Sequence, residues 1–375
     1  MSILRSSELR GVGILLAVIL VLAFFLAAFT GKLEQWFGIT LFGGPRAVNS
    51  IIFVSEESGT RELCIAKTDG SDRRTLTDGA DVAGLPAVSP SGSRIIYVGR
   101  WGDRMQVLSI DADGGGLQQL TTATGPKDRP EFSPDGKKLS FIDRGKVYTA
   151  DINGSSPRYI FPTDAEMRMA STQRLEIPAY RDYAWGLDCT SMLGISVHDD
   201  NVDVPMFLPS FSSEPIALAG GHGTPSVKVL GLARGSKTSD FVVGLLIEKE
   251  TLLFVFNPSD QQASPIARLS NQALNGLAVS PDGTAVVAAL TPTGEGGLSG
   301  LVRFDVGADT RVALTEGVFT HPAFSPDGES VLATIVEDGG ESRDVVVVSV
   351  RTGELRRLTS DGKSYNAVWS PESTR

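Results

Sequence analysis

The sequence predicts an all-β fold, a β-propeller of four-stranded blades closed by its own C-terminal strand and preceded by one N-terminal transmembrane helix. Three observations predict the propeller. A turn phrase recurs at Phe132-Ser133-Pro134-Asp135-Gly136, Val279-Ser280-Pro281-Asp282-Gly283 and Phe324-Ser325-Pro326-Asp327-Gly328, with worn copies at Val88-Ser89-Pro90-Ser91-Gly92 and Trp369-Ser370-Pro371-Glu372. Its serines are spaced by 44, 147, 45 and 45 residues, and a period in the forties that holds several short strands marks a propeller. A second landmark, Leu-Thr, closes the repeats at Leu76-Thr77, Leu120-Thr121, Leu314-Thr315 and Leu358-Thr359, with Ile160, Leu218 and Leu269 as looser equivalents.

Each element has a local cause. In the turn phrase Pro presets φ for the first corner, Asp hydrogen-bonds its own backbone, and Gly takes the left-handed position. The chain re-enters a strand at Lys138-Leu139-Ser140-Phe141 or Ser330-Val331-Leu332-Ala333. The long gap holds three periods, with hairpins expected at Ala184 to Asp188 and between Leu230 and Phe241. That makes seven blades, with six as the alternative count. The first repeat begins at Ile51-Ile52-Phe53-Val54 without a first strand, and Asn366 to Trp369 supply a strand with no blade after it. The C-terminal strand is therefore expected to complete the first blade, which removes the open edge of the ring.

These repeats resemble the TolB-type propeller family: Ser-Pro-Asp-Gly, an apolar strand, a strand ending near Asp151 with Asn153-Gly154, then Tyr159-Ile160. The same repeat occurs in the propellers of prolyl-oligopeptidase-type peptidases. The resemblance covers residues 51 to 371 and implies an extracytoplasmic binding platform with no catalytic motif to carry over.

Gly11 to Phe29 form nineteen consecutive uncharged positions. As a helix they span roughly 28 Å, close to the ~30 Å hydrocarbon core. The run exceeds the apolar core of a cleaved signal peptide, so residues 1–10 are expected in the cytoplasm, 11–29 across the membrane, 30–50 as a linker and 51–375 as the propeller. Arg5 and Arg10 before the run, against Lys32 after it, place the propeller outside. Trp36 and Phe37 fit the interface. A formal net charge of −10 excludes a nucleic-acid partner, which needs a basic face. Cys64 and Cys189 fall in the first and fourth repeats, too far apart for a disulfide, and both read as small core residues.

The longest insertion, Pro162 to Arg181, falls on the face away from the turn phrases and reads as a binding loop, with Met167, Arg168, Met169, Arg174 and Tyr180 as partner-contacting candidates. A Gly-rich loop, Thr291 to Gly300, is the second candidate. His198, His222 and His321 map to the same face and join the partner-binding set. Their spacing, even with Asp199 and Asp200, matches no metal motif, and no cofactor is expected. No G-x-S-x-G elbow is present, so the sequence reads as a non-enzyme: a membrane-anchored scaffold of the bacterial cell envelope that binds other membrane or envelope proteins, or a small ligand in the central channel. Two alternatives stand beside it. One is an accessory subunit of a membrane complex held by its helix. The other is an enzyme (a lactonase, lyase or glycan-acting type) whose mark would be His, Asp and Glu side chains converging on the channel mouth.

Overall fold

Residues 46–174, 176–198, 202–218 and 227–372 are described in a computed structural model of the chain, and they form seven four-stranded antiparallel sheets. Blade 1 joins Ser364–Trp369 to Ser50–Ser55, Glu62–Lys67 and Arg74–Thr75. Blade 2 starts at Ala83–Val88, blade 3 at Lys127–Phe132, blade 4 at Ala179–Trp185, blade 5 at Val227–Arg234, blade 6 at Gln272–Val279 and blade 7 at Val318–Phe324. These first strands are innermost. Val227–Arg234 packs on Gln272–Val279, and that strand on Val318–Phe324. Ser364–Trp369 touches the first strands of both blade 7 and blade 2, so the ring is closed. The count is seven, and the two degenerate hairpins lie where expected, between Trp185 and Met192 and between Arg234 and Phe241.

Antiparallel alternation fixes two faces. The Ser-Pro-Asp-Gly turns join first to second strands at the bottom. Loops from second to third strands, and from blade to blade, lie at the top. Between neighbouring blades runs an apolar seam, such as Ile52, Leu63, Ile95 and Tyr97 between blades 1 and 2, or Val287, Leu301, Phe319 and Val331 between blades 6 and 7. Burial of these faces against each other, rather than a single central core, holds the ring together.

Both sequence landmarks have a hydrogen-bonding purpose. In the turn phrase the Ser133 hydroxyl donates to Asp135 Oδ1 (2.6 Å) and accepts from Lys138 N (3.0 Å). Ser280 repeats this with Asp282 and Ala285 at 2.7 and 2.9 Å. At the ring closure the same pattern forms between the two ends of the propeller. Ser50 N donates to Ser370 Oγ (2.8 Å) and Ser370 N to Ser50 O (2.9 Å). The closing blade is thus an ordinary hairpin cut at its turn. Its entry segment is pinned where Ala47 N donates to Gly92 O at 2.7 Å. Gly92 has φ +73°, and a Cβ there would lie 2.5 Å from Ala47 O, so no other residue fits.

The threonine of Leu-Thr bridges the third strand. Thr359 Oγ1 accepts from Val345 N (2.9 Å) and donates to Asp344 Oδ1 (2.8 Å). Thr121 does the same with Val107 N and Gln106 Oε1, and Thr77 with Leu63 N and Glu62 Oε2. Thr359→Val keeps the shape but strands a buried N–H and weakens a buried carboxylate. It is expected to cost about 1–3 kcal/mol, read as a lower urea midpoint with an unchanged slope.

Two expectations are corrected. Pro162 to Arg181 is not a loop throughout, since Asp164–Gln173 form a helix, α1. Thr163 and Glu166 make a capping box, with Thr163 N donating to Glu166 Oε2 at 2.7 Å. Cys64 is buried, but Cys189 is only half-buried, in the blade 4 turn with φ +59°, so it is not a core residue. The expected membrane helix, with Trp36 and Phe37, lies outside the described residues. Among the described residues no helix is long and apolar enough to cross a membrane.

Candidate functional site

Every innermost strand breaks its ladder at the same level. Register shifts fall at Asp128/Glu131, Tyr180/Asp182, Val229/Gly231, Leu274/Gly276 and Thr320/Ala323. Arg129, His321 and Asn366 have φ of +48°, +50° and +53° there. A bulge bends the strand and re-aims a side chain. Arg129-Pro130 and His321-Pro322 place a residue without an N–H just where the ladder is interrupted. Close approach explains the glycine of blade 6, since a Cβ on Gly276 would sit 2.6 Å from Pro322 Cδ of blade 7.

The re-aimed side chains gather in the central channel. Arg129 Nη2 and Asp182 Oδ1 form an ion pair at 2.7 Å, with side chains 33% and 13% exposed. Tyr183 N also donates to Asp182 Oδ1 (2.7 Å), and the Tyr183 hydroxyl donates to Arg129 O. Arg129 Nε is buried without a hydrogen-bond partner. Glu131 follows Arg129 on the same strand. Arg234 ties blade 5 to blade 4 by donating to Trp185 O (2.7 Å), and binds its own turn through Gly235 O (2.7 Å) and Thr238 O (2.9 Å). His321 faces this group from blade 7. All five keep solvent contact while protein surrounds them, as expected of a channel lining.

Their electrostatics follow from that enclosure. Burial lifts the Glu131 carboxyl to about 7, although Arg129 and Arg234 pull it down and Asp182 pushes it further up. Burial also raises Asp182, against the charge of Arg129. His321 is lowered by burial and then by the Arg129 charge on the far side of the channel. Burial works against the charge of Arg129, but Asp182 and Glu131 outweigh it and its pKa is raised.

Glu131 carries a consequence for stability. Its folded pKa, about 7, lies above the ordinary 4.5. The unfolded chain therefore loses this proton first, and stability falls as pH rises from about 4.5 to 7. Glu131→Gln is expected to remove that slope and to stabilise the protein at pH 8 by on the order of 2 kcal/mol, allowing for channel water. Thermal melts of both forms at pH 5 and pH 8 check this.

The residues singled out by sequence scatter. Met167 and Arg168 line an open cleft of about 430 Å³ on α1. Met169 is exposed. Arg174, at φ +54°, ends the helix by donating its N–H to Ala170 O. Tyr180 is not at the surface: it is buried, stacks on Phe161 at 4.5 Å between centroids, and donates to Glu166 Oε1 (2.6 Å), so it fastens α1 to blade 4. His198 is exposed, 3.2 Å from Ser196 Oγ. His222, Asp199 and Asp200 lie outside the described residues. Among the described residues no group of three or more His, Cys, Asp or Glu side chains is arranged to hold a metal ion. Among the described residues of that set, His321 alone joins the channel cluster. Arg129, Glu131, Asp182 and Arg234 were missed. Counting four residues back from the turn serine finds Arg129 and His321, from Ser133 and Ser325.

No protein-family model matches the chain. It is 26% identical over 315 residues to dipeptidyl-peptidase 5 of Porphyromonas endodontalis, covering 81% of this chain and 37% of that protein. It is 30% identical over 159 residues to a TolB homologue of Chlorobium chlorochromatii, covering 31% of this chain and 35% of that one. Among solved structures, TolB from Acinetobacter baumannii superposes with a TM-score of 0.55 at 18% identity, over 90% of this chain and 70% of that one. Puromycin hydrolase superposes with a TM-score of 0.62 at 13% identity, over 86% of this chain and 54% of that one. The matched parts are about a third of each of these two curated relatives.

The non-enzyme reading is overturned by these relatives, since the one that matches most of the chain is a peptidase. The physical reason is that turn phrases and strand periods encode a scaffold, so a missing hydrolase elbow says nothing about the chemistry that the scaffold serves. By repeat sequence and by architecture, the chain is a TolB-like seven-bladed β-propeller.

Proposed function

We propose that this protein recognises polypeptide at its central channel and acts in peptide hydrolysis, with residues 11–29 anchoring it in the cell membrane and the propeller outside the cytoplasm. The observation that carries the reading is the cluster of Arg129, Glu131, Asp182, Arg234 and His321, drawn from four innermost strands. Guanidinium groups match the carbonyls and terminal carboxylate of a peptide, and carboxylates match its N–H groups and terminal ammonium. A carboxyl that titrates at about 7 can also take or give a proton near neutral pH. The peptidase relative supports peptide as the ligand class. The uncharged run from Gly11 to Phe29 supports the anchor.

The test uses the full chain in mild detergent. Labelled peptides with free or blocked termini are titrated by fluorescence anisotropy, and hydrolysis of dipeptidyl and prolyl nitroanilides is followed in parallel. Binding is expected to weaken about tenfold or more in Arg129→Ala, the loss of one charge-assisted contact. A protein that binds none of the peptides and cleaves none of the substrates ends the reading. The anchor is checked by alkaline extraction of membranes, where release of the protein counts against it.

A further inference from the structure

Three of the four charged side chains in the channel cluster are tied to protein. Arg129 and Asp182 pair at 2.7 Å, and Asp182 also accepts from Tyr183 N. Arg234 donates to the carbonyls of Trp185, Gly235 and Thr238. Glu131 is the exception. Its carboxyl forms neither a hydrogen bond nor an ion pair with the described residues. An ionised carboxylate needs donors, and for this half-buried side chain the channel water supplies them.

The surroundings offer no replacement for that water. On the same strand Lys127 is committed to Asp143, and Asp128 is exposed. Blade 4 brings Asp182, while Arg181 beside it is drawn to Asp203 at 2.6 Å. Blade 5 brings Arg234, with Lys228 exposed near the other end of its strand. Blade 7 brings His321. The innermost strands of blades 1, 2 and 6 (Ser364–Trp369, Ala83–Val88 and Gln272–Val279) hold no Asp, Glu, Lys, Arg or His. An occupant pressed against Glu131 gains no counter-charge for it from those blades.

Polypeptide filling the channel displaces the water around Glu131. Desolvation disfavours the carboxylate and favours the neutral acid. Even in the open channel, burial outweighs Arg129 and Arg234 and lifts the carboxyl to about 7. Removing water moves the balance further the same way. The neutral acid also gains an O–H that can donate to a backbone carbonyl of the bound chain.

We infer that polypeptide entering the central channel takes up a proton from solvent onto Glu131, so that recognition is strong in mildly acidic surroundings and weakens as pH rises through neutrality. This rests on the peptide-binding reading above. The sign follows from linkage. The protonated channel binds more tightly, so affinity is full below the pH at which the empty channel titrates and is lost above it. His321 is lowered below 6.5 by burial and by Arg129, which leaves it largely neutral from pH 7 upward.

The test uses the full chain in mild detergent and octapeptides without ionisable side chains. Their N-terminus is acetylated, their C-terminus is free or amidated, and their label has a fixed charge, so no probe titrates between pH 7 and pH 9. A tenfold gain in proton affinity on binding gives roughly fivefold weaker binding at pH 9 than at pH 7. Calorimetry at pH 7.5 in two buffers of different ionisation enthalpy is then expected to show uptake of roughly half a proton per peptide. Glu131→Gln, an uncharged stand-in for the acid, is expected to bind equally at both pH values with no net uptake. Melts at both pH values show that the ring is intact. Wild-type binding that is equal or tighter at pH 9, a pH dependence retained in folded Glu131→Gln, or binding only of peptides with a free N-terminal ammonium overturns the proton uptake and leaves the channel reading standing. Failure of every peptide to bind, with free or blocked termini and at either pH, overturns both.

Discussion

Removal of the last ten residues, 366–375, is expected to abolish cooperative folding of the propeller. The deletion takes most of the innermost strand of blade 1, which pairs with Ser50–Ser55 at Ile51, Ile52 and beyond. It takes buried Ala367 and the half-buried Val368 and Trp369 from seams shared with neighbouring blades. Lost with them are the Ser50–Ser370 bonds at 2.8 and 2.9 Å. The ties from Trp369 Nε1 to Ala323 O and from Asn366 Nδ2 to Gly84 O, both 2.9 Å, also go. Two large apolar side chains at about 1.5–3 kcal/mol each, with four or so hydrogen bonds at about 1 kcal/mol each, sum to roughly 7–10 kcal/mol. That approaches the whole stability of a typical domain, about 5–15 kcal/mol. The remaining blade would also expose an unpaired apolar edge, which favours aggregation. Circular dichroism melts of the full and shortened chains measure this. A shortened chain that melts like the full one would falsify the closure.

The next largest effect is expected at Asp143. Lys127 begins the strand that carries Arg129 and Glu131, and its side chain is fully enclosed. Lys127 Nζ lies 3.3 Å from Asp143 Oδ2, the two side chains being 0% and 5% exposed. It also donates to Ala123 O and Gly125 O, each at 3.0 Å. Asp143→Ala leaves a buried ammonium with two carbonyls and no counter-charge, at an expected cost of about 3–5 kcal/mol. The double variant Asp143→Ala with Lys127→Met removes the charge together with its partner and should recover most of the loss. A double-mutant cycle by urea unfolding gives the coupling. Independent, additive effects would show that the pair does not brace this strand. The single variant should weaken peptide binding as well, because the same strand aims Arg129 into the channel.

The two legible parts of the fold have different physical sources. The turn phrase was readable because its chemistry is local: Ser133, Asp135 and Lys138 satisfy one another within a few residues. The closure was readable because a missing first strand at one end and a surplus one at the other leave a single solution. The helix α1 was written in the Thr163 to Glu166 capping box, yet a reading keyed to strands passed over it. Tyr180 was taken for a surface residue because the insertion was read as a loop as far as Arg181, whereas the first strand of blade 4 already begins at Ala179 and Phe161 covers the Tyr180 ring.

The sequence by itself determined the repeat, the strand order and the closure, because these follow from turn chemistry and from a period that the chain repeats. Only the tertiary structure decided what the interruptions are for. Arg129 and His321 stand far apart in the chain, and it is the ring that brings blade 3 opposite blade 7 so that one charge acts on the other. The same enclosure raises the Glu131 carboxyl to about 7. Desolvation and charge coupling depend on distance through space, which a single sequence does not record.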